Sequence, residues 1–221
     1  AKMLDYFNAE KLLEGQPVHL IGCGSIGSHL AELFARQGLN NIHLWDFDKV
    51  SAHNITNQMF IEQDINRLKV DAVEVNMKQI NSDIKVIKHP EGIKPPYILS
   101  GYVFLCVDSI ELRKAIVMAN KSNPTVVAFF DFRTRLTDAQ HYACIRSDAG
   151  MMKSFLNTMD FTHEEVTEHT PVSACGVEMN VVDVIKVITC IGFANFRNYL
   201  RGAGIKTFAV IDMESLLIDI I

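Results

Sequence analysis

Apolar positions fall in short runs separated by stretches of helical spacing, and that rhythm sets the first expectations. Val18 to Ile21, Ile42 to Phe47, Ile84 to Lys88, Tyr102 to Val107 and Thr125 to Phe130 are rich in β-branched, aromatic and other apolar residues, as strands require. Tyr102 to Val107 is apolar without a break, the pattern of a parallel strand covered on both faces. Between them, Ser28 to Gln37 reads as a helix. Ile65 to Ile80 carries apolar residues at 65, 68, 72, 73, 77 and 80, a helical period. A further helix is predicted from Asp108, as its cap, to about Asn120. Ala139 to Arg146 predicts another strand, Gly176 to Tyr199 a long apolar helix, and Lys206 to Asp212 a closing strand.

Strand and helix alternate through the first 130 residues, which predicts an α/β fold. The expected form is a Rossmann-like, doubly wound, mainly parallel sheet with helices on both faces and antiparallel strands toward the C-terminus. Pro90, Gly92, Pro95 and Pro96 mark a loop. Gly150 to Pro171, rich in Met, Thr, His and Glu, breaks the rhythm and reads as a long loop. With no repeat and no clean linker, residues 1–221 are expected to form one domain.

Composition narrows the classes. A net charge of −5, without long single-sign blocks, leaves no footprint for nucleic acid or an anionic membrane. The helix from Gly176 is interrupted by Asp183, Lys186 and Arg197, and its longest uncharged run, Val187 to Phe196, is shorter than the roughly 20 residues a span needs. Five scattered cysteines without a C-x-x-C pair argue against structural zinc and a disulfide framework, and fit a reducing cytoplasm. The N-terminus has no basic region followed by an apolar run, so no signal peptide is expected.

The chemistry concentrates between Val18 and Lys69. Gly22, Gly24 and Gly27 form a G-x-G-x-x-G between a predicted strand and a predicted helix. In that order the glycines serve a tight turn, close backbone approach to a phosphate, and helix–strand packing. Ser25 lies in the loop just before that helix, whose N-terminus offers unpaired N–H groups to an anion. Asp46 ends the second strand, 19 residues beyond Gly27, where an acid meets ribose hydroxyls; a solvent-facing turn acid is the plain alternative. Asp48 is expected to point elsewhere.

The stretch Asp46-Phe-Asp-Lys-Val-Ser-x-x-Asn-Ile-x-x-Gln58 resembles the second-strand motif of the ThiF/MoeB/HesA family, relatives of the ubiquitin-activating enzymes. The resemblance continues through Asp64-Ile65 and Lys69, and through Cys106-Val-Asp108-Ser-Ile-Glu-Leu-Arg113. It covers roughly residues 16 to 120, and more loosely the helix from Gly176. It implies ATP-dependent adenylation of a carboxylate, with the C-terminus of a ubiquitin-like protein or a peptide as substrate, and a homodimer. Val182 and Val187, off the main apolar stripe of that helix, also suggest a buried partner face. By resemblance Asp46 meets the ribose and Asn54 the phosphates, and Asp48, Asn57 and Gln58 join the nucleotide-binding candidates.

The residues suit that chemistry on their own terms, because nucleotidyl transfer needs mainly positioning and charge neutralisation. Lys69 can supply a point charge and Asp108, at a central strand's carboxyl end, can hold Mg²⁺. Read singly, Lys69 is an exposed helix lysine and Asp108 a cap. The chain departs from the family pattern in having Asn57 where an arginine is expected, and no arginine before Arg36. Arg67 is a candidate substitute for reaching the triphosphate, and Arg113 another, although Arg113 already matches its own family position.

Cys175 precedes the long helix, where it is either an acceptor nucleophile favoured by the helix dipole or a small structural residue. Cys23 reads as a small residue that fits the loop. His163, His169, Glu164, Glu165 and Glu168 read as a solvated loop face, and Asp131 and Arg133 as substrate-side contacts. Two other functions share the glycine loop: an NAD-dependent oxidoreductase and a nucleotide-binding scaffold with weakened catalysis. The first gives no reason for Lys69 and Asp108.

Overall fold

The computed structural model describes residues 8–160 and 182–221. Elements follow in the order α1 (Ala9–Leu13), β1 (Val18–Ile21), α2 (Ser25–Arg36), β2 (Ile42–Trp45), α3 (Lys69–Ile80), β3 (Val86–His89), β4 (Gly101–Leu105), α4 (Ile110–Asn120), β5 (Val126–Thr134), β6 (Asp138–Ile145), α5 (Ala149–Asn157), α6 (Val182–Leu200), β7 (Phe208–Asp212) and β8 (Leu217–Ile220). Two short 3₁₀ turns, Ala52–Thr56 and Glu62–Asp64, lie between β2 and α3. The strands form one sheet in the order β3-β2-β1-β4-β5-β6-β7-β8. The first five are parallel and the last three antiparallel to their neighbours. That is the expected architecture. Strand order reverses between β1 and β4, and the crevice at the carboxyl ends of such a pair is where open α/β sheets bind ligands.

Helices α2, α3 and α6 cover one face over Leu20, Leu44, Phe104 and Phe130, with Phe196 of α6 packed among them. Phe104 stacks on Phe130 at 4.8 Å and meets Phe196 edge-on at 5.1 Å, each such pair adding about 0.5–1.5 kcal/mol beyond its buried area. On the other face α4 and α5 cover Val103, Leu105 and Phe129. No helix joins β3 to β4, and on that face His19, His43, Trp45 and His89 stack on one another instead.

Several boundaries differ from expectation, each for a local reason. The first part of the predicted loop, 150–157, lies in helix α5: Asp148 caps it by accepting the Met151 N–H at 2.9 Å, and Met152 and Phe155 bury its inner side. The helix predicted from Ile65 begins at Lys69, because Asn66 is left-handed and Leu68 extended. Ser109, not Asp108, caps α4, its Oγ accepting the Leu112 N–H at 3.1 Å. β5 runs on through Asp131 and Arg133 to Thr134, because those charges are neutralised inside the fold. α1 and β8 had no sequence prediction. Val187 packs partly against the main core, so only Val182 of that pair is exposed. No described helix is long and apolar enough to cross a membrane.

Candidate functional site

The glycine loop turns from β1 into α2 under the end of β4. Gly22 has φ +96°, and a Cβ there would lie 2.7 Å from the Cys106 carbonyl oxygen. A Cβ on Gly27 would lie 2.0 Å from the Gly22 carbonyl oxygen. Both glycines are therefore required by close backbone approach. Gly24 differs: its Cβ would meet only the Gln58 carboxamide, at 4.0 Å. The loop is open at Gly24, beside the N-terminus of α2 at Ser25.

Asp46 fastens this loop to β2. Its Oδ2 accepts the Cys23 N–H at 2.7 Å and its Oδ1 the Asp48 N–H at 2.8 Å. Burial raises its pKa, against the two backbone donors that lower it. Each carboxylate oxygen retains a lone pair for a further donor. Cys23 is wholly buried and its thiol pushed up by that burial, so it is the inert small residue expected.

The segment after β2 folds over the loop. Asn54 is buried, its Oδ1 accepting from the Ser51 N–H and Oγ–H, both at 2.9 Å. His29 on α2 holds the Asn57 carbonyl at 3.2 Å, and the Met59 N–H donates to Ser28 Oγ at 3.0 Å. Those contacts lay Gln58 over Gly24, where its Oε1 is buried with no hydrogen-bond partner among the described residues.

The predicted basic residues are all engaged. Lys69 pairs with Asp48 at 3.0 Å and its backbone N–H donates to the Asp48 carbonyl, so Asp48 turns toward the site rather than away from it. Arg67 pairs with Asp64 at 3.2 Å, with its side chain half exposed. Arg113 is buried and donates to the carbonyls of Leu105, Val107 and Phe132 and to the Asp131 carboxylate. Asp131 is fully buried and also takes Arg133 Nε at 2.8 Å. Arg133 extends to Thr158 and lies over the Tyr142 ring. The expectation that Asp131 contacts substrate is thereby corrected: a carboxylate held between two guanidiniums inside the sheet ties β4, β5 and α4 together and offers no surface to a ligand, whereas Arg133 keeps part of its side chain exposed. Sequence reasoning missed this clamp.

Asp108 is exposed at the carboxyl end of β4, with Oδ1 accepting the Ser109 N–H at 2.9 Å. The rest of the carboxylate remains for a cation, which suits Mg²⁺, an ion that takes few protein carboxylates alongside phosphates and water. No cluster of three or more metal-ligating side chains occurs among the described residues. Cys175, His163 and His169, with their neighbouring glutamates, lie outside the described residues.

A glycine loop at the switch point of a mainly parallel sheet defines a Rossmann-type α/β protein. The chain belongs to the ThiF family, whose model matches residues 5–193. It is 30% identical over 116 residues to ubiquitin-like modifier-activating enzyme 5 of Branchiostoma floridae, covering 45% of this chain and 29% of that protein. It is 28% identical over 131 residues to the enzyme of the same name from Bombyx mori, covering 52% of this chain and 33% of that protein. The matches thus span about a third of these relatives' length. Among solved structures, Escherichia coli MccB with AMPCPP and MccA superposes with a TM-score of 0.73 at 17% identity, covering 96% of this chain and 65% of that one. PaaA superposes with a TM-score of 0.73 at 14% identity, over the same shares. These likenesses show the fold.

Proposed function

We propose that the chain is an ATP-dependent adenylyltransferase that activates a carboxylate, with the C-terminus of a ubiquitin-like protein or a peptide as substrate. The observation that carries this reading is Gln58 Oε1, buried and without a hydrogen-bond partner among the described residues, above the open Gly24 of the glycine loop. A buried carboxamide oxygen over a glycine loop is a place for a donor from a ligand or a water. The family and the printed names of the relatives supply the reaction class.

In this reading the Asp46 carboxylate and Gln58 Oε1 accept from nucleotide hydroxyls, the α2 N-terminus and the side-chain amide N–H groups of Asn54 and Gln58 donate to the phosphates, and Lys69 turns from Asp48 to the triphosphate. Asn57 contributes its backbone carbonyl to hold His29, which fixes the cover over the loop. The substrate carboxylate attacks the α-phosphorus, an acyl–phosphate anhydride forms, and pyrophosphate leaves with the electron pair of the broken P–O bond. Magnesium, held by Asp108, supplies charge neutralisation to the phosphates when bound. Cys175 is proposed as acceptor of the activated acyl group. The homodimer is likewise a proposal, resting on exposed Val182 and on the family.

The test is pyrophosphate exchange into ATP with candidate ubiquitin-like proteins and peptides, beside thermal shifts with ATP·Mg²⁺ and with NAD. Exchange with a carboxylate substrate and a shift with ATP alone are the expected results. Stabilisation by NAD and not by ATP would overturn the reading.

A further inference from the structure

The carboxyl edge of the sheet is poorly supplied with uncommitted positive charge. Lys69, Arg67, Arg113 and Arg133 each pair with an acid, and Asp46 and Asp108 add two further carboxylates. A triphosphate entering this edge meets net negative charge unless another cation joins it. Helix α6 brings one. It runs beside α2, with Phe193 against Phe34 at 6.0 Å between centroids. The last turns of α6 meet Tyr102 at the amino end of β4, through Phe196 at 5.1 Å and Tyr199 at 6.4 Å, so Lys186, two turns before Phe193, lies toward the carboxyl edge and the start of α2, where His29 stands one turn beyond Ser25. His29 in turn holds Asn57, the neighbour of Gln58.

We propose that Lys186 is a triphosphate-binding residue of this site, reaching past His29 and Asn57 to the outer phosphates. The proposal rests on the ATP reading above. Lys186 is exposed and in no ion pair among the described residues. Asp183, one turn earlier, directs its Oδ1 to the Val184 N–H at 3.0 Å. Burial lowers the His29 pKa, the Asn57 carbonyl opposes that shift, and the Lys186 charge adds to it, in keeping with that placement. An ammonium on a flexible four-carbon stem suits this task, because it acts as a mobile point charge.

Calorimetric titration of the wild type, Lys186→Ala, Lys186→Arg and Lys121→Ala with AMP, ATP and sodium tripolyphosphate in Mg²⁺ tests it. Lys121 closes α4 on the far side of the sheet and serves as a charge-matched control. The expected result for Lys186→Ala is a loss of about tenfold or more for ATP and tripolyphosphate, the worth of one charge-assisted contact. AMP affinity should hold, and Lys186→Arg should restore most of the loss. Wild-type ATP binding that Lys186→Ala leaves unchanged would overturn the role of Lys186 and leave the adenylation reading standing. Equal weakening of AMP and ATP, or weakening in Lys121→Ala as large as in Lys186→Ala, would overturn it as well. Wild-type protein that binds neither ATP nor tripolyphosphate would overturn both.

Discussion

The Asp46 carboxylate accepts the Cys23 backbone N–H at 2.7 Å, so one side chain at the end of β2 fixes the glycine loop after β1. Under the proposed function the same group receives the ribose, which would couple loop order to nucleotide binding. Asp46→Ala should lower stability by about 1.5–3 kcal/mol, the range for a hydrogen bond to a charged group, and abolish stabilisation by ATP·Mg²⁺. Urea denaturation with and without nucleotide measures both.

The three loop glycines should separate cleanly. Gly22→Ala and Gly27→Ala place a methyl group against backbone oxygen, and overpacking of that kind costs about 1–3 kcal/mol or more. Gly24→Ala meets only the Gln58 carboxamide at 4.0 Å, so its melting temperature should stay near wild type while its affinity for ATP falls. A destabilised Gly24→Ala would contradict the open-loop geometry.

Asp108 is exposed and makes one local hydrogen bond. Asp108→Ala should therefore melt like wild type without ligand. It should lose the part of the ATP-induced thermal shift that depends on Mg²⁺. Melting curves with ATP plus and minus chelator resolve the two contributions.

Asp131 lies between two guanidiniums with no access to water. Asp131→Ala takes the counter-charge from the buried Arg113, and breaking a buried pair from one side costs about 3–5 kcal/mol. The measured loss in a urea titration should exceed that of Arg133→Ala, whose removal leaves Arg113 still holding the carboxylate.

Acid should weaken the fold through its buried imidazoles. Burial, helped by His43 and His89, lowers His19 to about 3, and burial lowers His141 to about 4. Unfolded imidazoles titrate near 6.5, so as pH falls the unfolded chain takes up protons first. The stabilisation is whole above about pH 7 and is lost as pH falls from 6.5 toward those folded values. At pH 5 each of the two withholds about 2 kcal/mol. His19→Gln keeps an acceptor for the Trp45 indole, which donates to His19 Nδ1 at 3.1 Å, and should remove about that much of the difference between urea midpoints at pH 7.5 and 5.

The parts legible in the sequence were those encoded by neighbours along the chain. β1, the glycines, α2 and Asp46 lie within 30 residues, and their order alone implied the loop geometry. What stayed hidden depends on distant partners. Arg113 and Asp131 are 18 residues apart and on different elements, and a charged residue read singly belongs at the surface. Asp108 and Ser109 are both good caps, so only the observed bond to Leu112 N–H distinguishes them. Gly150 and the polar residues after it obscured the pair of buried side chains, Met152 and Phe155, that make α5 a helix.

The Lys69–Asp48 pair has one more consequence. A lysine that already holds a carboxylate receives an incoming phosphate by exchange rather than by filling a vacancy, as a resin trades counter-ions. Asp48 is half exposed, so the pair it gives up is worth less than about 1 kcal/mol, and the trade is reversible. A ligand with several negative charges displaces Asp48 readily, whereas one with few does so poorly. Under the proposed function, departure of the outer phosphates would let the carboxylate compete for its lysine again and so favour release of the spent nucleotide.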